Sequence, residues 1–260
     1  MRFVDQFHVI LLDMAKTFMF GVDRFSEDEN FTVTYRQVGG KTLDDQRVQQ
    51  VIRVVIETMQ TDYDQWTVSL PFPAVRHYLS TRADSTRTDT KGLPASEIDL
   101  LEQTFAIHEV GTIPETHAEA LRELRQTHRL GVISDIFSPS ALFLHEFERA
   151  GVQDLFDLVL FSSEHGYVKP ASFPFQKAVS VFQEERSKIV FVGDNFKRDI
   201  VGAKGVGLAA VWINAQQDQR ADEAAEADQN VQPDLIIRNL SELLAETGAK
   251  HVDDKKGHST

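Results

Sequence analysis

Ile189-Val190-Phe191-Val192 is an uninterrupted apolar run that leads directly into Gly193-Asp194, with a second acid, Asp199, five residues further on. The same construction recurs along the chain. His8-Val9-Ile10-Leu11-Leu12 ends in Asp13, Leu130-Gly131-Val132-Ile133 ends in Ser134, Leu158-Val159-Leu160-Phe161 leads into Ser162-Ser163, and Ala209 to Ile213 makes a fifth run. Short runs that are apolar on both sides suit strands buried in a parallel sheet. A last strand, followed by an amphipathic helix, is expected between Asp234 and Glu246.

The segments between these runs have helical spacing. Glu115 to His128 places Ala118, Leu121 and Leu124 on one face. Ser138-Pro139 reads as an N-cap followed by proline at the first helical position, opening a helix through Leu144 and Phe147 that stops at Gly151. Phe173 to Phe182 repeats the pattern, and Ile200 to Lys204 makes a shorter turn. Strand alternating with helix predicts an α/β fold with a doubly wound parallel sheet.

Residues 22–109 break the alternation. Leu43 to Met59 carries Val48, Val51, Ile52, Val55 and Ile56 at helical spacing, Phe72 to Ser80 and Ile98 to His108 read as further helices, and residues 81–96 are a polar loop. We expect an inserted α-helical domain over 22–109 and a core made of 1–21 and 110–247. Residues 214–232 read as a solvated linker or surface helix, and a disordered tail is expected over 248–260.

Composition narrows the function. Of 260 residues, 42% are hydrophobic and 26% charged, as in globular proteins. With 27 Lys plus Arg against 40 Asp plus Glu, the net charge of −13 repels nucleic acid and anionic membrane, so neither is expected as a partner. An anionic substrate would need local cations. The absence of cysteine excludes disulfides, thiolate metal sites and a cysteine nucleophile. The first apolar run is cut by Asp13 and followed by Lys16, and no segment approaches a transmembrane span, so a cytoplasmic protein is expected. The sequence assigns no oligomeric state.

In a doubly wound sheet, ligands bind beyond the carboxyl ends of the strands. Those ends supply Asp13, Ser134 and Asp194, with Asp199 shortly after and Lys169 in the loop after the third strand. Carboxylates suit a hard cation such as Mg²⁺. A lysine and a hydroxyl can neutralise and hydrogen-bond a phosphoryl group. A carboxylate can attack phosphorus.

In this pattern the chain resembles the haloacid dehalogenase (HAD) superfamily, whose four ordered motifs all have counterparts here. An apolar strand followed by Asp-x-Asp-x-Thr corresponds to Asp13-Met14-Ala15-Lys16-Thr17, and a strand ending in Ser or Thr corresponds to Gly131-Val132-Ile133-Ser134. Gly-x-x-Lys-Pro corresponds to Gly166-Tyr167-Val168-Lys169-Pro170, and Gly-Asp with a later acid corresponds to Gly193-Asp194 and Asp199. The resemblance covers residues 7–20 and 110–247, and 22–109 falls where the family inserts a helical cap. It implies a Rossmann-like hydrolase, phosphatase-like, acting on a small phosphorylated metabolite through an aspartyl phosphate with Mg²⁺. By it, Asp13 is nucleophile and metal ligand. Asp194 is a ligand, Asp199 a ligand or its support, and the Ala15 backbone carbonyl faces the metal. Ser134 and Lys169 hold the phosphoryl group, with Lys169 also restraining Asp13.

One position departs from the family. Its phosphatases carry a second Asp two residues after the nucleophile, which protonates the leaving oxygen and activates water. Here that residue is Ala15. Loss of such a group costs about 10²–10⁴ in rate. Three readings follow. An activated leaving group or another nearby acid, such as Asp135, sustains phosphatase turnover; Asn195 is also nearby but is no acid. Alternatively, the chain resembles phosphonoacetaldehyde hydrolases, which carry Ala here and form an imine on a cap lysine, for which Lys41 and Lys91 are available. Otherwise it binds a phosphorylated ligand without turnover. The dehalogenase branch typically has an aromatic residue at this position and uses no metal, which Ala15 and the Asp194/Asp199 pair argue against. The histidines show no metal-ligand spacing. Trp66, Tyr78 and Trp212 read as packing residues, Phe18 and Phe20 as candidates to close the pocket, and Gly39-Gly40 as a cap turn facing the site or a plain loop.

Overall fold

Val9–Leu12 (β1) consists of four buried apolar residues. Successive side chains of a strand point to opposite faces, so Ile10 and Leu12 enter one hydrophobic cluster and Val9 and Leu11 another. A strand with two apolar faces requires a helical layer on each side. The computed structural model, which describes residues 1–64, 70–81, 93–215 and 231–245, has that arrangement.

After β1 come four helices, Phe31–Gln37 (α1), Asp45–Asp64 (α2), Val75–Thr81 (α3) and Ala95–Glu109 (α4). Then follow Glu115–Arg125 (α5), Arg129–Ser134 (β2), Ala141–Arg149 (α6), Phe156–Phe161 (β3), Ser162–His165 (α7) and Ser172–Phe182 (α8). Ile189–Gly193 (β4), Val201–Gly205 (α9), Ala209–Ile213 (β5) and Leu235–Ile237 (β6) complete the described elements. The strands form one sheet in the order β3-β2-β1-β4-β5-β6, and every neighbouring pair is parallel. α5 and α6 cover one face through Leu121, Leu124, Phe143 and Phe147. α8 and α9 cover the other through Phe175, Phe182 and Ala203. Each large apolar side chain fully buried this way contributes roughly 1.5–3 kcal/mol.

From β1 the chain moves outward to β2 and β3, then returns to the other side of β1 for β4, β5 and β6. The connections diverge at β1, which opens a crevice at the carboxyl ends of β1 and β4.

Helices α1–α4 gather around a third cluster that includes Phe31, Tyr35, Ile52, Tyr78 and Phe105. The ends of this region are paired with each other. Phe20 and Thr112 exchange backbone hydrogen bonds of 2.8 Å, and the N–H groups of Asp23 and Arg24 donate to the carbonyls of Glu109 (3.1 Å) and His108 (2.9 Å). Val168 and Phe137, from loops of the sheet layer, pack into the same cluster. No helix among the described residues is long and apolar enough to cross a membrane.

Several local expectations are corrected. Ser138 and Pro139 do not open α6, which starts at Ala141; the Ser138 hydroxyl instead donates to the buried Glu109 carboxylate. Phe72 lies before α3, because the proline that follows it disfavours helical backbone. After β6 the chain makes a 3₁₀ turn, Leu240–Leu244, rather than an amphipathic helix; burial of Leu240 and Leu243, three residues apart, suits that tighter winding. Gly39-Gly40 follows α1 as its stop: the Gly40 N–H returns to the Tyr35 carbonyl, and a Cβ on Gly40 would collide with the Tyr35 ring. Most of the 81–96 loop and of the 214–232 segment, all of the tail, Lys91 and Trp66 lie outside the described residues.

Candidate active site

Asp13 is the first residue beyond β1, and its N–H donates to the Val192 carbonyl of β4 at 2.8 Å. That bond sets Asp13 beside the end of β4, where Asp194 follows Gly193. The Asp194 carbonyl accepts from the Trp212 indole N–H at 3.0 Å, which ties the loop to β5. Asn195 then caps a π-helical turn, Phe196–Ile200, by accepting the Arg198 N–H at 3.0 Å. Such wide turns occur frequently at functional sites. The turn carries Asp199 back beneath the loop, fully buried, where its Oδ2 accepts the Asn195 N–H at 2.9 Å. A Cβ at position 193 would collide with the Asp199 carboxylate, so the close return requires glycine.

Lys169 joins the two strand ends. Its Nζ, buried, donates to Asp13 Oδ1 at 2.6 Å and to Asp199 Oδ1 at 2.7 Å. Burial alone would favour the neutral amine. The carboxylates of Asp13, Asp199 and Asp135 outweigh it and hold Lys169 charged, well above the ordinary lysine range. Asp199 is raised as well, which for an acid favours the neutral form: burial, reinforced by the charges of Asp13 and Asp194, pushes its carboxyl up to about 7 against the pull of Lys169. One carboxylate oxygen from each of Asp13, Asp194 and Asp199 lies within 4.8 Å of the others. Three converging oxygen donors, with no sulfur or imidazole among them, fit a small hard cation such as Mg²⁺.

These groups open into a cavity of about 140 Å³, also lined by Ala15, Lys16, Asp23, Tyr63, Asp135, Phe137, Asn195 and Arg198. Asp135, directly after β2, accepts the Lys169 N–H with both oxygens (3.1 and 3.2 Å) and the Tyr63 hydroxyl at 2.9 Å. Burial raises its carboxyl, opposed mainly by Lys169. Tyr63, in the last turn of α2, is held edge-on to Phe72 and Phe137, and burial with the Asp135 charge keeps its phenol protonated. Lys16 and Asp23 both have left-handed backbone (φ 56° and 52°), an arrangement uncommon outside glycine that tends to cluster at functional sites. The Asp23 carboxyl has no hydrogen-bond partner among the described residues. Desolvation and the nearby Asp13 charge raise it, while Lys16 and Arg198 oppose.

Of the residues singled out in the sequence, Asp13, Ala15, Asp135, Lys169, Asp194, Asn195 and Asp199 line this cavity. Ser134 does not. It is buried at the end of β2, and its hydroxyl has no partner among the described residues. Phe18 and Phe20 do not close the pocket: Phe18 is buried against Phe147 and Phe156, and Phe20 packs on His117. The wall is made by Tyr63 and Phe137 instead. Lys41 is exposed and off the cavity, and Gly39-Gly40 does not face it. Sequence reasoning missed Asp23, Tyr63, Phe137 and Arg198. Only Arg198 carried a signal, its place within the Gly193–Asp199 stretch. A larger hollow of about 410 Å³ lies at α1 and α2, where Arg36 and Asp45 are bonded to each other at 2.8 Å and leave no convergent reactive set.

The sequence profile of haloacid dehalogenase-like hydrolases matches residues 9–207. The chain is similar to a pyrimidine 5'-nucleotidase of Escherichia coli, 33% identical over 47% of this chain and 51% of that protein. It is also similar to a ribulose-1,5-bisphosphate 5-phosphatase of Halopiger xanaduensis, 34% identical over 53% of this chain and 57% of that protein. It thus spans about half the length of these relatives. Among solved structures, a 2-haloacid dehalogenase from Pseudomonas syringae pv. Tomato superposes with a TM-score of 0.59 at 22% identity, covering 92% of this chain and 96% of that one, a likeness of fold.

Proposed function

Since the chain belongs to the haloacid dehalogenase-like hydrolases, we propose that it is a phosphatase that cleaves a small phosphate monoester with Asp13 as nucleophile. The observation that carries this reading is Lys169 Nζ shared between Asp13 and Asp199, with Asp194 converging on the same point. Asp13 would attack phosphorus, forming an aspartyl phosphate as the ester P–O bond breaks and the leaving oxygen takes a proton. Water would then attack phosphorus, releasing phosphate and restoring Asp13. Lys169 fixes the attacking carboxylate and balances phosphoryl charge.

Asp13, Asp194 and Asp199, with the Ala15 carbonyl, would hold Mg²⁺, which when bound supplies positive charge against the phosphoryl oxygens. The cavity lining itself calls for this, because its five carboxyl groups exceed its three cationic side chains. The helical layer from α1 to α4 acts as a cap, closing the cavity with Tyr63. Asp23, at the cavity wall without a hydrogen-bond partner among the described residues, is the carboxyl available for the proton transfers that Ala15 cannot perform.

An aryl phosphate with Mg²⁺ tests the reading. Turnover should require the metal and should be abolished by Asp13→Asn. Ala15 favours one competing reading, phospho-ligand binding without turnover. A folded protein that binds Mg²⁺ and a beryllofluoride mimic yet hydrolyses nothing would establish that alternative.

A further inference from the structure

The phosphatase reading leaves two cavity cations, Lys16 and Arg198, without a task, and Arg198 is the one held in place by its neighbours. The Arg198 guanidinium lies 3.6 Å from the centroid of the Tyr63 ring. Its five N–H donors have no acceptor among the described residues, whereas Arg125 is bound to Asp157, Arg149 to Glu146, and Arg24 to backbone carbonyls. The platform beneath it is rigid. Tyr63 is braced by Phe72 and Phe137 at 5.2 and 5.3 Å, and its hydroxyl is committed to Asp135. The base of Arg198 is fixed as well, through its N–H to Asn195. Its charge is felt by Asp23, Asp135 and Tyr63, so it faces the cavity from among them. Lys169, by contrast, already serves two carboxylates.

A planar cation seated over an aromatic ring, with its donors uncommitted among the described residues, suits bidentate capture of an oxyanion. We propose that Arg198 determines substrate specificity by binding a second anionic group, a carboxylate or a further phosphate, on the ester whose phosphoryl group Asp13 attacks. The inference rests on the phosphatase reading for which phosphate is transferred, but it is read through binding. The substrate class is then a small phosphate monoester with two anionic ends.

Three non-hydrolysable probes test this by calorimetry in the presence of Mg²⁺. Ethylphosphonate has one anionic end, phosphonoacetate adds a carboxylate, and methylenediphosphonate adds a second phosphonate. The wild-type protein should bind one of the doubly anionic probes at least about tenfold more tightly than ethylphosphonate, and which one identifies the second group. Arg198→Gln should remove that preference, and Arg198→Lys, which keeps charge but not the fork, should retain part of it. Circular dichroism checks that both variants fold. Equal affinities for all three probes in the wild-type protein would overturn the proposal, as would no binding of any. So would an Arg198→Gln variant that weakens every probe by the same factor, which would place Arg198 on the shared phosphoryl end. Failure of the phosphatase reading shows separately, as absence of aryl phosphate turnover.

Discussion

Ala15 stands two residues after Asp13 and lines the same cavity, so a side chain added there enters the space where an ester oxygen would lie. Ala15→Asp should therefore supply an acid and base, raising aryl phosphate turnover by at least about tenfold. Poor leaving groups need protonation and should gain more than aryl esters. An Ala15→Asp variant that folds and binds Mg²⁺ but gains nothing with either ester would mean that the pocket is shaped around alanine. Asp23 sharpens the comparison, because it already occupies the wall as a carboxyl with no hydrogen-bond partner among the described residues. If it carries the proton transfers, the gain is greatest when Asp23 is also replaced by Asn, since the two acids then no longer overlap in role.

At the scale of elements, the end of α4 has a titration of its own. Glu109 is buried and accepts the N–H groups of Phe137 (2.6 Å) and Ser138 (2.9 Å) together with the Ser138 hydroxyl. Burial pushes its carboxyl from the ordinary 4.5 up to about 7, and those three donors oppose the shift without cancelling it. The folded state thus holds a proton that the unfolded chain gives up near 4.5. The stability this confers is complete below that pH and is lost as pH rises to about 7. Urea unfolding between pH 5 and 7 should show the wild-type protein losing stability that Glu109→Gln retains. Equal pH slopes for the two proteins would mean that Glu109 is ionised throughout.

The elements also differ in how legible they were. β1 and β4 were plain because both faces of each strand are buried and the sequence is apolar without interruption. Parallel topology then carries their terminal acids to one edge, which is why Asp13, Asp194 and Asp199 could be grouped from spacing alone. α1 was not legible: Phe31–Gln37 has seven residues with Thr32, Val33 and Thr34 in succession, a composition that disfavours helix. It is held by burial of Phe31 and Tyr35 and by the Asn30 side chain accepting the Thr32 N–H at 3.1 Å. Tyr63 and Phe137 escaped for a related reason. They reach the cavity only because separate parts of the chain dock, and no local pattern records that.

For the molecule as a whole, a cation bound at the triad would link to folding stability. Its three acids lie beyond two different strands, so Mg²⁺ bound there would favour the folded chain. At a concentration a hundredfold above its Kd, Mg²⁺ should add about 2.7 kcal/mol to stability, a rise of several degrees in Tm. Asp194→Asn should shrink that rise markedly, and an undiminished rise in the variant would locate the metal elsewhere. The order of the strands has a further consequence, for synthesis. Lys169 and Asp13 are 156 residues apart in the chain, and β1 pairs only with segments that begin at Arg129 and Ile189. As the chain leaves the ribosome N-terminus first, the strand that leads into Asp13 emerges with neither neighbour available. Helices α1–α4, whose partners are close in sequence, can assemble while β1 waits. The acids and the lysine that pairs them meet only after residue 199 has emerged, so a nascent chain cut short before that point has the apolar cluster of α1–α4 largely complete and the acid–lysine cluster unassembled.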